Sequence, residues 1–249
     1  MTHRLIYFIT FVCLGLSMLM ASPAMAQRTV DPSSLLSHTS IIPEAQASHT
    51  DAATPLNAPP QLGVEYGMLE HPIPVDGPLI PVVFFFQYDP GSALAAKAVI
   101  EWKKTLQSDV FFSQSIASSG SPLDTYQARV FFALSLMKQD DIQLPLLEAL
   151  ADHKVDVSSP LELTNWLVNQ GVNKETFVST INGHQDIALA LANVDVTRRY
   201  EIQSVPTIVL NGKYWIRANL NMTPARFVHI ADFILNLIRQ QQQEQGDHL

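Results

Sequence analysis

Residues 81–102 read PVVFFFQYDPGSALAAKAVIEW, and this stretch decides the fold of the chain. It opens with an apolar run from Val82 to Phe86, which is β-branched and aromatic and has no polar alternation. Such a run predicts a strand that is buried on both faces of a sheet. The alanine-rich segment that follows, up to Trp102, predicts a helix. The strand and the helix are joined by an abrupt corner.

Asp89-Pro90-Gly91-Ser92 forms this corner. Aspartate is a favoured N-cap, because its carboxylate accepts hydrogen bonds from the free N–H groups of the first helical turn. Proline suits the first helical position, where its missing N–H costs no hydrogen bond. The N-terminus of a helix carries partial positive charge and favours an anion. The sequence therefore predicts a carboxylate, that of Asp89, at the start of the helix.

The strand, corner and helix resemble the active-site segment of the DsbA-type thiol:disulfide oxidoreductases, which have a thioredoxin fold. In that family an aromatic-rich strand runs into Cys-Pro-x-Cys at a helix N-terminus, where the low-pKa thiolate is stabilised. This chain keeps the proline, but Asp89 and Ser92 stand where the family has its cysteines. The family also carries a buried acid on the strand, and Val83 occupies that place here. The resemblance implies the fold and argues against the activity.

A second motif, residues 202–216, reads IQSVPTIVLNGKYWI. Two β-rich runs flank the Asn-Gly pair at 211–212, which is a strong signal for a type I′ hairpin. Residues 204–207, Ser-Val-Pro-Thr, resemble the cis-proline loop of the thioredoxin fold. Proteins of this fold receive extended segments by main-chain pairing with the residue before that proline. By resemblance, we expect a peptide-binding site at Tyr88, Asp89, Val205, Pro206 and Thr207.

Further strands and helices flank these motifs. Residues 63–73 predict a short edge strand, and residues 109–116 predict a second core strand. Pro145 and Pro160 each mark a fresh helix start in the long helical stretch that follows. The closing helix begins near Pro224, and its apolar stripe is predicted to pack on the sheet. The stripe consists of Phe227, Ile230, Phe233, Ile234, Leu237 and Ile238.

The order of these elements resembles the DsbA-like arrangement, in which a helical domain is inserted into the thioredoxin domain. The predicted fold class is therefore α/β, a thioredoxin-like fold with an inserted helical domain. We place the thioredoxin-like domain at residues 63–122 and 200–245, and the inserted helical domain at residues 123–199.

Residues 1–26 have the plan of a secretory signal peptide. Arg4 supplies the positive charge, an apolar run follows, and Ala-Met-Ala at 24–26 is a small-residue cleavage site. The apolar run is short for a membrane span. We therefore expect a periplasmic protein without a membrane span after cleavage. Residues 27–62, rich in Pro, Ser, Thr and Ala, predict a flexible leader.

Cys13 is the only cysteine of the chain, and it lies inside the predicted signal peptide. The expected exported chain therefore has no thiol, so neither a disulfide nor thiol chemistry is available to it. The net charge of −8 argues against nucleic acid or an anionic membrane as a partner. The histidines share no ligand spacing, and we expect no metal site and no cofactor.

Three functions remain open from the sequence. The first is a non-catalytic periplasmic binding protein, a chaperone-like or assembly factor, whose partner is a periplasmic or envelope protein or an extended peptide. The second is a DsbA-family enzyme with an indirect redox role or altered chemistry at Asp89 and Ser92. The third is a structural subunit of an envelope complex. Because no histidine, lysine or second acid lies near the corner in sequence, we expect no catalytic residue there.

Overall fold

The computed structural model describes residues 55–219 and 222–246. The predicted signal peptide, Cys13 and residues 27–54 of the predicted leader lie outside the described residues. The described elements, in chain order, are β1 (Tyr66–Met68), β2 (Ile80–Phe86), α1 (Pro90–Lys103), β3 (Val110–Ile116), α2 (Pro122–Leu136), a 3-10 turn (Asp140–Ile142), α3 (Gln143–Ala151), α4 (Pro160–Asn169), α5 (Lys174–Ile181), α6 (His184–Arg199), β4 (Thr207–Leu210), β5 (Tyr214–Arg217) and α7 (Pro224–Gly246).

The strands form one mixed sheet in the order β1-β5-β4-β2-β3. β2 runs parallel to β3 and antiparallel to β4, and β5 is antiparallel to both β4 and β1. The turn between β4 and β5 has φ of 52° at Asn211 and 59° at Gly212, as a type I′ turn requires. The predicted hairpin is therefore confirmed. Helices α2 to α6 all fall between β3 and β4, as the predicted fold class requires.

The apolar residues of β2 supply the centre of the core. Val82, Phe84 and Phe86 are fully buried and belong to the large apolar cluster, to which α1 and α7 also contribute. Phe85 points to the opposite face of the sheet, where its ring lies 5.1 Å from that of Tyr200. β2 is thus covered on both faces, as its unbroken apolar run predicted.

The prediction that residues 109–116 form a core strand is wrong in its placement. β3 is an edge strand, and only Ser115 and Ile116 at its C-terminal end are buried. A strand at the edge has a neighbour on one side only, so its first residues remain partly open to solvent. Its aromatic residues gave the sequence pattern of a core strand. One of them, Phe112, does pack, edge-on against Trp102 of α1.

The apolar stripe predicted on α7 is correct except at its rim. Phe227, Ile230 and Ile234 are buried as predicted, but Phe233 is 38% exposed. Ala231 and Leu235 are buried instead. The buried set follows the helical period, and Phe233 lies beside it, where its ring contacts that of Tyr66 at a centroid distance of 6.0 Å.

An ion pair inside the protein joins the start of the described chain to α7. The guanidinium of Arg226 is 1% exposed and donates to both carboxylate oxygens of Glu65, at 2.8 and 2.7 Å. It also donates to the backbone carbonyls of Leu56 and Ala58. The last residues of the predicted leader are thus held against the domain. No helix of the described residues is long and apolar enough to cross a membrane.

Candidate functional site

The strand register brings the two sequence motifs to the same end of the sheet. Phe85 of β2 lies opposite Thr207 of β4 in the antiparallel pair. Asp89 follows shortly after Phe85, and Val205 and Pro206 immediately precede Thr207. The Val205–Pro206 peptide bond is cis. The corner and the proline loop therefore lie at the same end of these two neighbouring strands.

At the corner, Asp89 is the N-cap of α1. Its Oδ1 accepts from the N–H of Ser92 at 3.0 Å, its backbone is extended, and Pro90 is the first helical residue. Its second oxygen, Oδ2, accepts from the Ser92 hydroxyl at 2.6 Å. The predicted helix cap is confirmed. The carboxylate satisfies the helix terminus with hydrogen bonds inside the chain.

Ser92 has a structural role at the corner. Its side chain is fully buried. Its hydroxyl donates to Asp89 and also accepts from the N–H of Gln87 at 3.1 Å. A nucleophilic serine needs a partner base and access to its substrate. The buried, doubly bonded hydroxyl of Ser92 offers no such access, so the geometry does not favour altered chemistry at this corner.

Tyr88 anchors the corner to the inserted helices. Its side chain is 4% exposed, and its hydroxyl donates to Oε1 of Gln143 at 2.5 Å. Its backbone N–H donates to Oε1 of Gln127 at 3.1 Å. Burial raises the pKa of Tyr88 well above its usual range. The side chain of Tyr88 therefore faces the interior of the protein and is not available to a peptide at the surface.

Sequence reasoning missed Gln127 and Gln143, which tie the corner to α2 and α3. Both glutamines are buried, and Gln143 also donates to the Phe131 carbonyl at 3.3 Å. Buried polar side chains are nearly always hydrogen-bonded. A polar residue within the apolar part of a predicted helix was the available signal, but the sequence did not identify its partner.

One residue of the proline loop has a backbone N–H and C=O without hydrogen-bond partners in the described part of the chain. Val205 is half-buried, and neither its N–H nor its C=O bonds to another group in residues 55–219 and 222–246. By contrast, the Pro206 carbonyl accepts from Ala218 N–H at 3.1 Å. Thr207 is fully buried, and its hydroxyl donates to the Ser204 carbonyl at 2.7 Å.

Beneath this loop lies a small apolar cluster. Leu69, Ile73, Phe85 and Val209 form its buried part, and Val83 and Val205 pack against it with other half-buried residues. By resemblance, the family has an acid at the position of Val83. In this chain that position therefore belongs to the apolar cluster. No group of three His, Cys, Asp or Glu side chains in the described part of the chain could hold a metal ion.

The comparisons with known proteins agree with this architecture. No family model matches the chain. The thiol:disulfide interchange protein DsbA of Pseudomonas aeruginosa is 29% identical over 180 residues, which cover 70% of this chain and 83% of that protein. The DsbA of Pseudomonas syringae is 26% identical over 181 residues, 72% of this chain and 84% of that protein.

Solved structures give the same result. The crystal structure of Pseudomonas aeruginosa DsbA matches with a TM-score of 0.66 and 26% identity, over 74% of this chain and 96% of that one. DsbA of Xylella fastidiosa matches in fold with a TM-score of 0.64, at 23% identity, over 73% of this chain and 98% of that one. The chain is therefore a DsbA-like protein of the thioredoxin fold with an inserted helical domain, and it lacks both cysteines of the Cys-Pro-x-Cys motif.

Proposed function

We propose that this chain is an exported DsbA-like protein that carries out no thiol–disulfide chemistry and acts by binding, as a chaperone-like or assembly factor of the periplasm. The observation that carries this proposal is the corner itself. Asp89 and Ser92, which by resemblance stand at the positions of the cysteines, bond to each other in a closed helix cap. A carboxylate and a hydroxyl cannot exchange electrons with a substrate disulfide, so the fold is retained without the redox reaction.

The proposed binding site lies at the Val205 backbone. Its N–H and C=O have no partner within the described residues, and they lie just before the first residue of β4, at the end of the sheet where β2 leads into the corner. An extended peptide that adds beside Val205 gains two main-chain hydrogen bonds, which need no cysteine. Each such bond contributes only about 1 kcal/mol, so we expect weak binding. The half-buried side chain of Val205 favours apolar residues in the peptide.

Residues 1–26 support the proposed periplasmic destination. They combine a positively charged N-terminal region, an apolar run and a cleavage site of small residues, which together are typical of a cleaved export signal. Fractionation of cells that express the full chain tests this part separately. We expect the protein in the periplasmic fraction, with its new N-terminus at Gln27.

A redox assay tests the loss of thiol chemistry. The protein is purified without residues 1–26, and so without Cys13, and is incubated with a disulfide substrate and a thiol reductant. Its rate of disulfide reduction is compared with that of the reductant alone. We expect no rate above that background. Catalysis above background would contradict the proposal, because the exported chain contains no cysteine.

Peptide titration followed by NMR tests the binding site. An extended apolar peptide should shift the amide signals of Val205, Thr207 and Asp89 first. The matched control is the same peptide with N-methylated backbone amides, which keeps the side chains but removes the donors. We expect the control to bind at least several-fold more weakly. Shifts confined to other surfaces, or equal binding of both peptides, would contradict a backbone-pairing site at Val205.

A further inference from the structure

The outer edge of β3 carries an open row of backbone groups. In a parallel pair, alternate residues of a strand direct their N–H and C=O toward the neighbouring strand. Ala117 N–H donates to the Phe86 carbonyl at 2.7 Å, so the odd-numbered residues of this segment face β2. β3 pairs with no strand other than β2 within the described sheet. Phe112 and Gln114 therefore direct their backbone groups away from the sheet.

Internal hydrogen bonds close this row at both ends. Val110 N–H donates to the Gln107 carbonyl at 3.1 Å. The Ile116 carbonyl accepts from Nδ2 of Asn193 at 2.6 Å. Between these points, the outward N–H and C=O groups of β3 bond to nothing else in residues 55–219 and 222–246. Phe112 and Gln114, in the middle of the strand, are left with two donors and two acceptors.

β3 also lacks the features that protect natural sheet edges from pairing. Such edges are usually short, or carry lysine, another charge or proline. The opposite edge, β1, is three residues long. β3 is seven residues long, VFFSQSI, and contains no charge and no proline. The nearby Lys103 lies 5.3 Å over the Phe112 ring, on the face of the sheet beside α1.

We propose that β3 pairs antiparallel with β3 of a second copy of this chain, about a two-fold axis at Ser113. Phe112 of each copy then lies opposite Gln114 of the other. Each of these pairs exchanges two hydrogen bonds, so about four form in all and use every open group of the two residues. An axis at Phe112 is disfavoured, because it would bring the two Lys103 ammonium groups together.

This register places the Ser113 side chains directly opposite each other across the axis, with Cβ atoms about 4.5–5.5 Å apart. Ser113→Lys and Ser113→Asp each put like charges there, whereas a mixture of the two puts opposite charges there. We expect sedimentation velocity to show a dimer for the unchanged chain, monomers for each variant alone, and heterodimers in the equimolar mixture. An unchanged chain that stays monomeric at several hundred micromolar would overturn the proposal.

Disulfide trapping tests the same register in the Cys13→Ser background. Residues that face each other in a pair without hydrogen bonds have Cα atoms about 4.5 Å apart, within disulfide reach. We therefore expect Ser113→Cys to give a covalent dimer under mild oxidation. The control is Gln114→Cys. In the proposed register the two residues 114 are offset along the strands and lie about 7–8 Å apart. Equal trapping of both variants, or a β3 edge that binds an added extended peptide while the chain stays monomeric, would contradict self-pairing.

Discussion

Ser92 donates its hydroxyl proton to Asp89 Oδ2 across 2.6 Å, at the two positions that by resemblance correspond to the cysteines of the DsbA family. The same carboxylate accepts from the N–H of Ser92 at 3.0 Å. One side chain thus satisfies a helix terminus and a buried hydroxyl. The corner therefore has a structural role in this protein, and its contribution to the free energy of unfolding can be measured by mutation.

Replacing Asp89 with alanine should destabilise the fold. Loss of an N-cap costs about 1 kcal/mol, and the buried Ser92 hydroxyl also loses its acceptor, which costs about 1 kcal/mol or more. We expect a fall of about 2 kcal/mol in the free energy of unfolding, measured with urea. The matched control is Asp89→Asn, which keeps an acceptor oxygen and should lose less than half as much. Equal losses would show that the cap does not hold the corner.

Cysteines at positions 89 and 92 should restore a disulfide. Residues three apart in the first turn lie on one face of the helix, with Cα atoms about 5–6 Å apart, which is within disulfide range. In a Cys13→Ser background, Asp89→Cys with Ser92→Cys should oxidise within one molecule, as thiol titration and intact mass would show. The pKa of the thiol at position 89 should lie below about 8.5, because the helix N-terminus favours the thiolate.

The control for this disulfide is Asp89→Cys with Leu94→Cys. Leu94 is 67% exposed, and it lies five positions after Asp89, outside the i,i+3 and i,i+4 spacing of residues that share a helix face. This pair should stay reduced or crosslink between molecules. If the cysteines at 89 and 92 also remained unpaired under oxidising conditions, the helix start would not have the geometry described.

An acid at position 83 should raise turnover in the variant with cysteines at 89 and 92. Val83 is half-buried and packs against the same apolar cluster as Val205, so Val83→Glu supplies a proton donor within this cluster and costs stability through burial. We expect faster disulfide exchange with a model substrate. Val83→Gln has a similar size and polarity but cannot transfer a proton. Equal rates for both would exclude proton transfer as the cause.

Glu65→Gln should destabilise the protein at neutral pH. Removal of one partner leaves the buried Arg226 charge uncompensated, at a cost of about 3–5 kcal/mol. The hydrogen bond from Arg226 holds the pKa of Glu65 below its ordinary value of 4.5. The stabilisation is therefore present above pH 4.5 and is lost as the pH falls through the lowered pKa. The difference between the two proteins should shrink at acidic pH.

Urea unfolding over a pH series measures this effect. The control is Asp152→Asn, which removes a carboxylate from an exposed pair with Lys154 and should leave the stability nearly unchanged. A difference for Glu65→Gln that stays constant down to pH 3 would contradict the role of the Glu65 carboxylate.

Asp186 should make stability fall as the pH rises toward neutrality. Its carboxylate is fully buried with no hydrogen bond of good geometry in the described chain, and Nε of Arg129 stands 3.5 Å away. Burial raises the pKa of Asp186 from 3.8 to about 7. Between these values the folded chain keeps a proton that the unfolded chain releases, so the free energy of unfolding decreases with pH and levels off above about 7.

Asp186→Asn should remove this slope and exceed the unchanged chain in stability at pH 8 by up to about 4 kcal/mol, since the shift spans about three pKa units of about 1.4 kcal/mol each. The control is Asp195→Asn, an exposed carboxylate on the same helix that pairs with Arg198. It should leave the pH dependence unchanged. Parallel pH profiles for Asp186→Asn and the unchanged chain would contradict the prediction.

The sequence by itself determined the features that depend on neighbouring residues. The Asp89 cap, the Asn-Gly hairpin and the apolar run of β2 each rest on side chains within a few positions of one another, and all are present. Local rules are sufficient there, because a cap or a tight turn is formed by consecutive residues. The resemblance of these motifs to one family then fixed the fold class.

Only the tertiary structure decided which groups are buried and with which partners. Tyr88 meets Gln143 from a helix 55 residues away, and Arg226 meets Glu65 across 161 residues. β3 lies at the edge of the sheet, although its aromatic residues predicted a core strand. A hydrophobic pattern indicates that a residue prefers burial. The partners of that residue depend on how distant elements pack, and the spacing of neighbouring residues in the sequence does not contain this information.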